Sequence, residues 1–355
     1  MSTARDSDLP TQRARVLWQL TFDLEVRTTP VALADGLVIT LAGGDTSVLR
    51  RLALDGGAPV WSTDLHHQVV GSPVRTGSLL AVPLAGGHIG AFDVADGAPL
   101  RPAWAPLPTP AHAELAAAGG RVFARCGHGV DATLSCYLVG QSRPAWVVPD
   151  PASGGEATRM RTTNGVLVVA SAREDDGVVI AGVDVETGHR RWLHREAGSR
   201  LHDLWAIGGI VDVVTSSGVI GLEAATGEHR TTRFAGFPLD SARAVGEHLV
   251  AMMEGHMGPV LLCFHIVTQR LIGRISRAMT RLVGAHAGEV LVTLINGEPI
   301  FYAIPSLEPL DLPEAEAISP PGVTAWSRDV SYVVSLDQHT VTAIDLDAPE
   351  RPTSA

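Results

Sequence analysis

The sequence predicts an all-β protein, an eight-bladed β-propeller of four-stranded antiparallel blades, closed by an N-terminal strand that completes the last blade. Three observations predict it. Tryptophan recurs at Trp18, Trp61, Trp104, Trp146 and Trp192, at separations of 42–46 residues. Most of these indoles close a similar segment, seen in LALDGGAPVW (52–61), AFDVADGAPLRPAW (91–104), CYLVGQSRPAW (136–146) and VDVETGHRRW (183–192). Between the segments, apolar and polar residues alternate with the period of strands rather than of helices.

Weaker copies follow at 222–234, 263–275, 302–310 and 343–350. The place held by Asp in the best copies falls at Asp55, Asp93, Leu138, Asp184, Glu223, His265, Pro305 and Asp345, at intervals of 38–46 residues. Eight units of this length match four short strands per blade. Within 71–104, SPVRTG supplies an inner strand A, LLAVPLA strand B, IGAFDV strand C and LRPAW strand D. Asp-Gly, Thr-Gly and Gly-Gly occupy turns that need positive φ or side-chain-to-backbone bonding. Trp18 sits one repeat before Trp61, and the last unit has strands A–C (VTAWSR, VSYVVSL, TVTAIDL) but no D. Residues 15–20 are therefore expected to supply that strand and leave no open sheet edge. The expected organisation is an extension at 1–14, one propeller at 15–347 and a tail at 348–355.

The pattern Ala-x-Asp-x-x-Thr-Gly-x-x-x-Trp resembles that of pyrroloquinoline-quinone-like (PQQ-like) repeat propellers, over nearly the whole chain. The resemblance implies that Trp18, Trp61, Trp104, Trp146 and Trp192 pack between neighbouring blades, with Phe234 and Ile275 in that place later on. The family includes calcium-dependent quinoprotein dehydrogenases and the propeller subunit of the outer-membrane β-barrel assembly machinery. The adjacent cysteine pair of the dehydrogenases is not present here, nor is an evident Glu–Asn–Asp set for calcium.

Composition narrows the function. The chain has 355 residues, 38 acidic against 27 basic, all of the latter arginine, and a net charge of −11. That balance argues against nucleic acid, which needs a clustered cationic face. No stretch reaches the apolar length of a membrane span, so direct membrane insertion is not expected. An odd number of cysteines and an N-terminus without signal-peptide character lead to the expectation of a cytoplasmic protein.

Candidate chemistry clusters on one rim. Loops from strand D to the next strand A share a face with the B–C turns, and they carry His66, His67, His112, His202, His88, His128, His256 and His339. The longest loops there are 147–157 (VVPDPASGGEA) and 312–322 (LPEAEAISPPG), with Pro149, Asp150, Glu314 and Glu316. Long loops on rigid scaffolds often carry binding. Cys126 and Cys136 flank a hairpin turn around His128 and read as reduced, partly buried thiols facing each other across strands B and C. Cys263 reads as core, and Glu174, Asp175 and Asp176 as a solvated turn. No nucleophile elbow, phosphate-cradling loop or zinc-protease motif occurs. The expected function is a non-enzymatic protein-interaction scaffold or assembly subunit. It has no cofactor, its partner is another protein, and its candidate contact rim is His66, His67, Pro149, Asp150, His202, His256, Glu314, Glu316 and His339. The alternative is a small-molecule-binding or quinone-dependent propeller with its site in the central funnel.

Overall fold

The computed structural model describes residues 13–100, 113–127, 131–152, 158–172, 177–236, 238–255, 258–276, 279–286, 289–294, 299–310, 321–327, 330–335 and 337–348. The protein is an all-β propeller of four-stranded antiparallel blades. Among the described residues the strands form eight antiparallel sheets, here sheets 1 to 8 in chain order. Strands are lettered A to D from the axis outward. Sheets 3 to 6 are four-stranded meanders, and sheets 2 and 7 have three described strands. In sheet 1 the inner strand is split into Glu25–Val26 and Val31–Leu33, both paired with Gly36–Gly43. The A strands touch in succession from sheet 2 round to sheet 8 and on to sheet 1.

Sheet 8 joins the two ends of the described chain. Its strand D is Arg13–Thr21, antiparallel to Thr340–Ala348, with Trp18 opposite Ala343 and Thr21 opposite Thr340. Arg15 reaches Asp345 at 3.7 Å.

The core lies between sheets, which explains why the B and C strands are apolar on both faces. In sheet 4, Val166, Val168 and Ala170 pack toward Leu204, Val211 and Val213 of sheet 5. Their alternates Leu167 and Val169 pack toward Phe123, Leu134 and Cys136 of sheet 3. Period-2 alternation thus serves two neighbours instead of core and solvent.

A shared device locks four of the sheet boundaries. The indole Nε1–H of Trp18 donates to the Leu54 carbonyl in the next sheet at 2.7 Å. Trp61 donates likewise to Val94 at 2.9 Å, Trp146 to Val185 at 3.0 Å and Trp192 to Ala224 at 2.8 Å. Each ring also lies against a positive-φ glycine in that sheet's C–D turn: Gly57, Gly97, Gly188 and Gly227 respectively. A Cβ on any of these glycines would come within 2.5–2.9 Å of indole atoms, so both the conformation and the space exclude a side chain. The turn is set by Asp where it is present: Asp184 Oδ1 accepts from the backbone of Glu186 (3.0 Å) and Thr187 (2.9 Å). These bonds and the Arg191 guanidinium hold its carboxyl far below the usual carboxylate range. Trp104 lies outside the described residues.

Three expectations need correction. Turn hydrogen bonds of the Asp93 and Asp184 kind start at Ala53 (N–H to Ala58, 2.8 Å) and Ala303 (N–H to Glu308, 2.9 Å). The motif position in sheets 1 and 7 is therefore Ala53 and Ala303, two residues before Asp55 and Pro305. Strand pairing sets Trp192 opposite Gly182 and Trp146 opposite Cys136. The equivalent residues are Thr231, opposite Gly221, and Gly273, opposite Cys263; Phe234 and Ile275 lie past the Trp place. Phe234 instead leaves its strand with φ 57° and packs on Phe264 at 4.8 Å between ring centroids. Finally, the D strand of sheet 3 runs Pro144–Pro149 and the A strand of sheet 8 begins at Pro321, so both long segments are shorter as loops than expected.

Candidate functional site

The rim expected from the sequence divides into exposed and structural residues. His66 and His67 follow strand D of sheet 1 and are exposed. The His67 ring stacks on His88 of sheet 2, with centroids 5.5 Å apart and planes at 27°, so a D–A loop and a neighbouring B–C turn do meet. Pro149 ends its strand exposed. His202 is half-buried at the start of Leu201–Ile207, its Nε2 2.8 Å from the Leu239 carbonyl in the segment between sheets 5 and 6. Burial holds its pKa below the ordinary imidazole value. Nδ1 of His339 lies 3.1 Å from the Phe22 carbonyl, tying the last B–C turn to the segment after the N-terminal strand. His112, His128, His256, Glu314 and Glu316 lie outside the described residues, as do 174–176.

Asp150 is not a surface residue. Only 3% exposed, it accepts from Arg125 Nε at 2.6 Å and from the Ala152 backbone at 2.9 Å. Arg125 is itself 5% exposed. A buried, charge-assisted pair of this kind fixes the loop to its own sheet and leaves Asp150 unavailable to a partner. Opposite Arg125, across the A–B pairing of sheet 3, stands Glu114. Burial raises its pKa to about 7 against the pull of Arg159, Arg125 and Arg161. Nothing in the isolated segment PDPAS betrays this long-range pairing.

The cysteines are thiols in the core. Cys126, Cys136 and Cys263 are free and buried, and burial pushes them up to about 12, 11 and 11. Cys126 pairs with Thr133 and Cys136 with Phe123. The first packs toward sheet 2 and the second toward sheet 4, so they point to opposite faces, which corrects the expectation that they could face each other. Among the described residues no group of three or more His, Cys, Asp or Glu is placed to hold a metal ion, and no helix is long and apolar enough to cross a membrane.

These features define a β-propeller with four boundaries locked by a repeated Trp–Gly contact and a polar rim assembled from D–A loops and B–C turns. The model of the family described as outer membrane protein assembly factor BamB matches residues 10–233. The chain belongs to that family. The crystal structure of BamB from Moraxella catarrhalis superposes with a TM-score of 0.65 at 14% identity, covering 96% of this chain and 99% of that one. The quinohemoprotein alcohol dehydrogenase from Comamonas testosteroni superposes at 0.60 and 12% identity, covering 97% and 78%. Sqt1 of Saccharomyces cerevisiae superposes at 0.64 and 10% identity, covering 95% and 100%. At such identities the likeness is one of fold. No curated protein matches the chain by sequence.

Proposed function

We propose that this protein is a non-enzymatic interaction propeller, a scaffold or assembly subunit that binds another protein through the rim built from D–A loops and B–C turns. The observation that carries the reading is membership in a family described as an assembly factor. The rim adds the surface: His66 and His67 are exposed on a loop and Pro149 at a strand end, fixed from behind by the His67–His88 stack and the Arg125–Asp150 pair. Rigid loops lose little entropy on binding. The reading takes the complete disc as eight-bladed. It also takes the setting as cytoplasmic, a reducing compartment with which three free, buried cysteines agree.

The test is quantitative co-purification from the native host, comparing the parent with H66A/H67A/P149A and with a substitution on the opposite face, Thr226→Ala. Partner yield should fall for the rim variant alone. Equal yield from all three sinks the rim. A protein that instead purifies with a bound quinone or metal, and no polypeptide, returns the argument to a ligand-dependent propeller.

A further inference from the structure

We propose that the central channel contains a binding site for a small anion, a carboxylate or a sulfate- or phosphate-type oxyanion, held between Arg75 and Arg161. This is independent of the rim reading. A cavity of about 580 Å³ lies against the inner strands of sheets 8, 1, 2, 3 and 4, within the size range of small-molecule sites.

The sequence explains why it is there. The inner strand of sheet 3 reads AELAAA, that of sheet 4 TRMRTT. Counting back from the A–B turns, Ala116 and Ala117 stand where sheet 4 has Arg161 and Thr162. Ala32 and Ala325 line the wall from sheets 1 and 8. Small residues thus open the space, and arginines on the blades flanking sheet 3 point charge toward it.

The arginines are held but not neutralised. Arg75 gives Nε–H to the Gly77 carbonyl at 2.8 Å, and Arg161 gives one Nη to the Met160 carbonyl at 2.9 Å. Neither forms an ion pair with a described residue. Several other arginines are paired with carboxylate: Arg51 with Asp35, Arg121 with Glu186, Arg191 with Asp184, Arg230 with Glu223, Arg233 with Asp212. Two guanidinium forks without a direct ion pair, facing one concavity, are a ready receptor for a planar or tetrahedral anion. Among the described residues no aromatic ring lines the cavity, and the recognition we propose goes through charge and donor geometry.

Glu114 makes the site sensitive to pH. The charged groups acting on it are Arg125 and Asp150 of sheet 3 and Arg159 and Arg161 of sheet 4. Ionised, it competes for the field of Arg161; protonated, it releases that field to a ligand. Binding therefore tightens as pH falls through about 7.

Calorimetric titration of the full chain with sodium sulfate, whose charge is constant over the range, and separately with succinate, at about pH 6 and about pH 8, tests this. Saturable binding is expected, weakened about ten-fold or more in both R161Q and R75Q, with melting temperatures near the parent's. R121Q, on an arginine already paired, should leave binding unchanged. E114Q at the higher pH should bind as the parent does at the lower. Preference between the two probes distinguishes an oxyanion site from a carboxylate site. The proposal is overturned if neither probe saturates at millimolar concentration, or if both arginine variants bind like the parent.

Discussion

The boundaries between early and late sheets solve one packing problem in two ways. Where sheet 8 meets 1, 1 meets 2, 3 meets 4 and 4 meets 5, an indole from strand D slides over a turn glycine and donates to a carbonyl beyond it. Between sheets 5 and 6 the Trp place holds Thr231 and the glycine place Gln269, at φ 57°. Gln269 Oε1 there accepts from the Phe234 backbone at 3.3 Å. Between sheets 6 and 7 the roles reverse: Gly273 takes the Trp place, and buried Leu307, at φ 60°, takes the glycine place and reaches toward it. There the contact is filled from the facing turn and not from strand D. In sheet 5 the lost indole is also replaced by charge, since Arg233 crosses Gly221 to Asp212. The early boundaries use one transferable part; the late ones are individually fitted.

The largest effect should come from the boundary that joins the chain ends. Deleting residues 2–22 removes the D strand of sheet 8, exposing the edge of Thr340–Ala348. Soluble yield should collapse or the protein should aggregate, whereas deleting 2–12 should leave the melting temperature unchanged. A soluble monomer from the longer deletion, melting like the parent, would remove this strand from the closure.

Next, the two kinds of boundary should differ in energetic weight. Trp192→Ala removes a buried ring and its hydrogen bond and should cost about 3–5 kcal/mol. Thr231→Ala, at the same place one sheet later, should cost under about 1 kcal/mol. Urea denaturation of both variants reads this directly; equal losses would erase the distinction.

A double-mutant cycle sharpens it further. Gly227→Ala alone forces a methyl to 2.5 Å from the Trp192 ring at φ +72°. In the Trp192→Ala background the methyl enters vacated space and only the backbone cost of about 1–2 kcal/mol remains. The pair should therefore deviate from additivity by about 1–3 kcal/mol. Thr231→Ala with Gln269→Ala should add within about 0.5 kcal/mol.

The smallest effect concerns two acids on opposite halves. Burial raises the pKa of both Glu114 and Asp212, but Asp212 has the Arg233 hydrogen bond to set against it, and no such bond restrains Glu114. The native state holds the Glu114 proton between 4.5 and about 7, where the unfolded chain has released it. The stability this confers is fully present below 4.5 and lost as pH rises through about 7. Relative to E114Q, the parent should thus lose stability from about pH 5 to about pH 8. Urea midpoints at the two pH values that move in parallel would show that Glu114 titrates normally.

The same contrast explains what could be read in advance. Trp18, Trp61, Trp146 and Trp192 advertise their boundaries because the indole and its glycine are both rare and regularly spaced. Where Thr231 and Gly273 take over, nothing marks the place, and Phe234 and Ile275 drew attention merely by being large. The two-residue errors at Asp55 and Pro305 have a related origin: the turn is defined by backbone bonds from Ala53 and Ala303, while the eye follows Asp and Pro. On the rim, the exposure of His66 and His67 follows from loop position, and that of Pro149 from its place at the end of an outer strand. The burial of Asp150 depends on Arg125, 25 residues away, and no local pattern encodes it. The channel's signal is the alternating arginines of TRMRTT beside the alanines of AELAAA.

The pairing of Arg13–Thr21 with Thr340–Ala348 also sets a timetable. The hydroxyls of Thr21 and Thr340 meet at 3.3 Å, yet they are 319 positions apart in the chain. At translation speeds of about 5–20 residues per second, the opening strand leaves the ribosome roughly 15–60 s before its mate is made. During that interval it is an unpaired β-segment carrying Val16, Leu17, Trp18 and Leu20, the kind of stretch that sticks to other nascent chains. Its composition meets the hazard: Arg13 and Arg15 stand at its head and Gln19 interrupts its apolar run, charged and polar guards that hinder premature association. Ring closure thus waits for a strand made 319 positions later, and the strand that waits is written to do so.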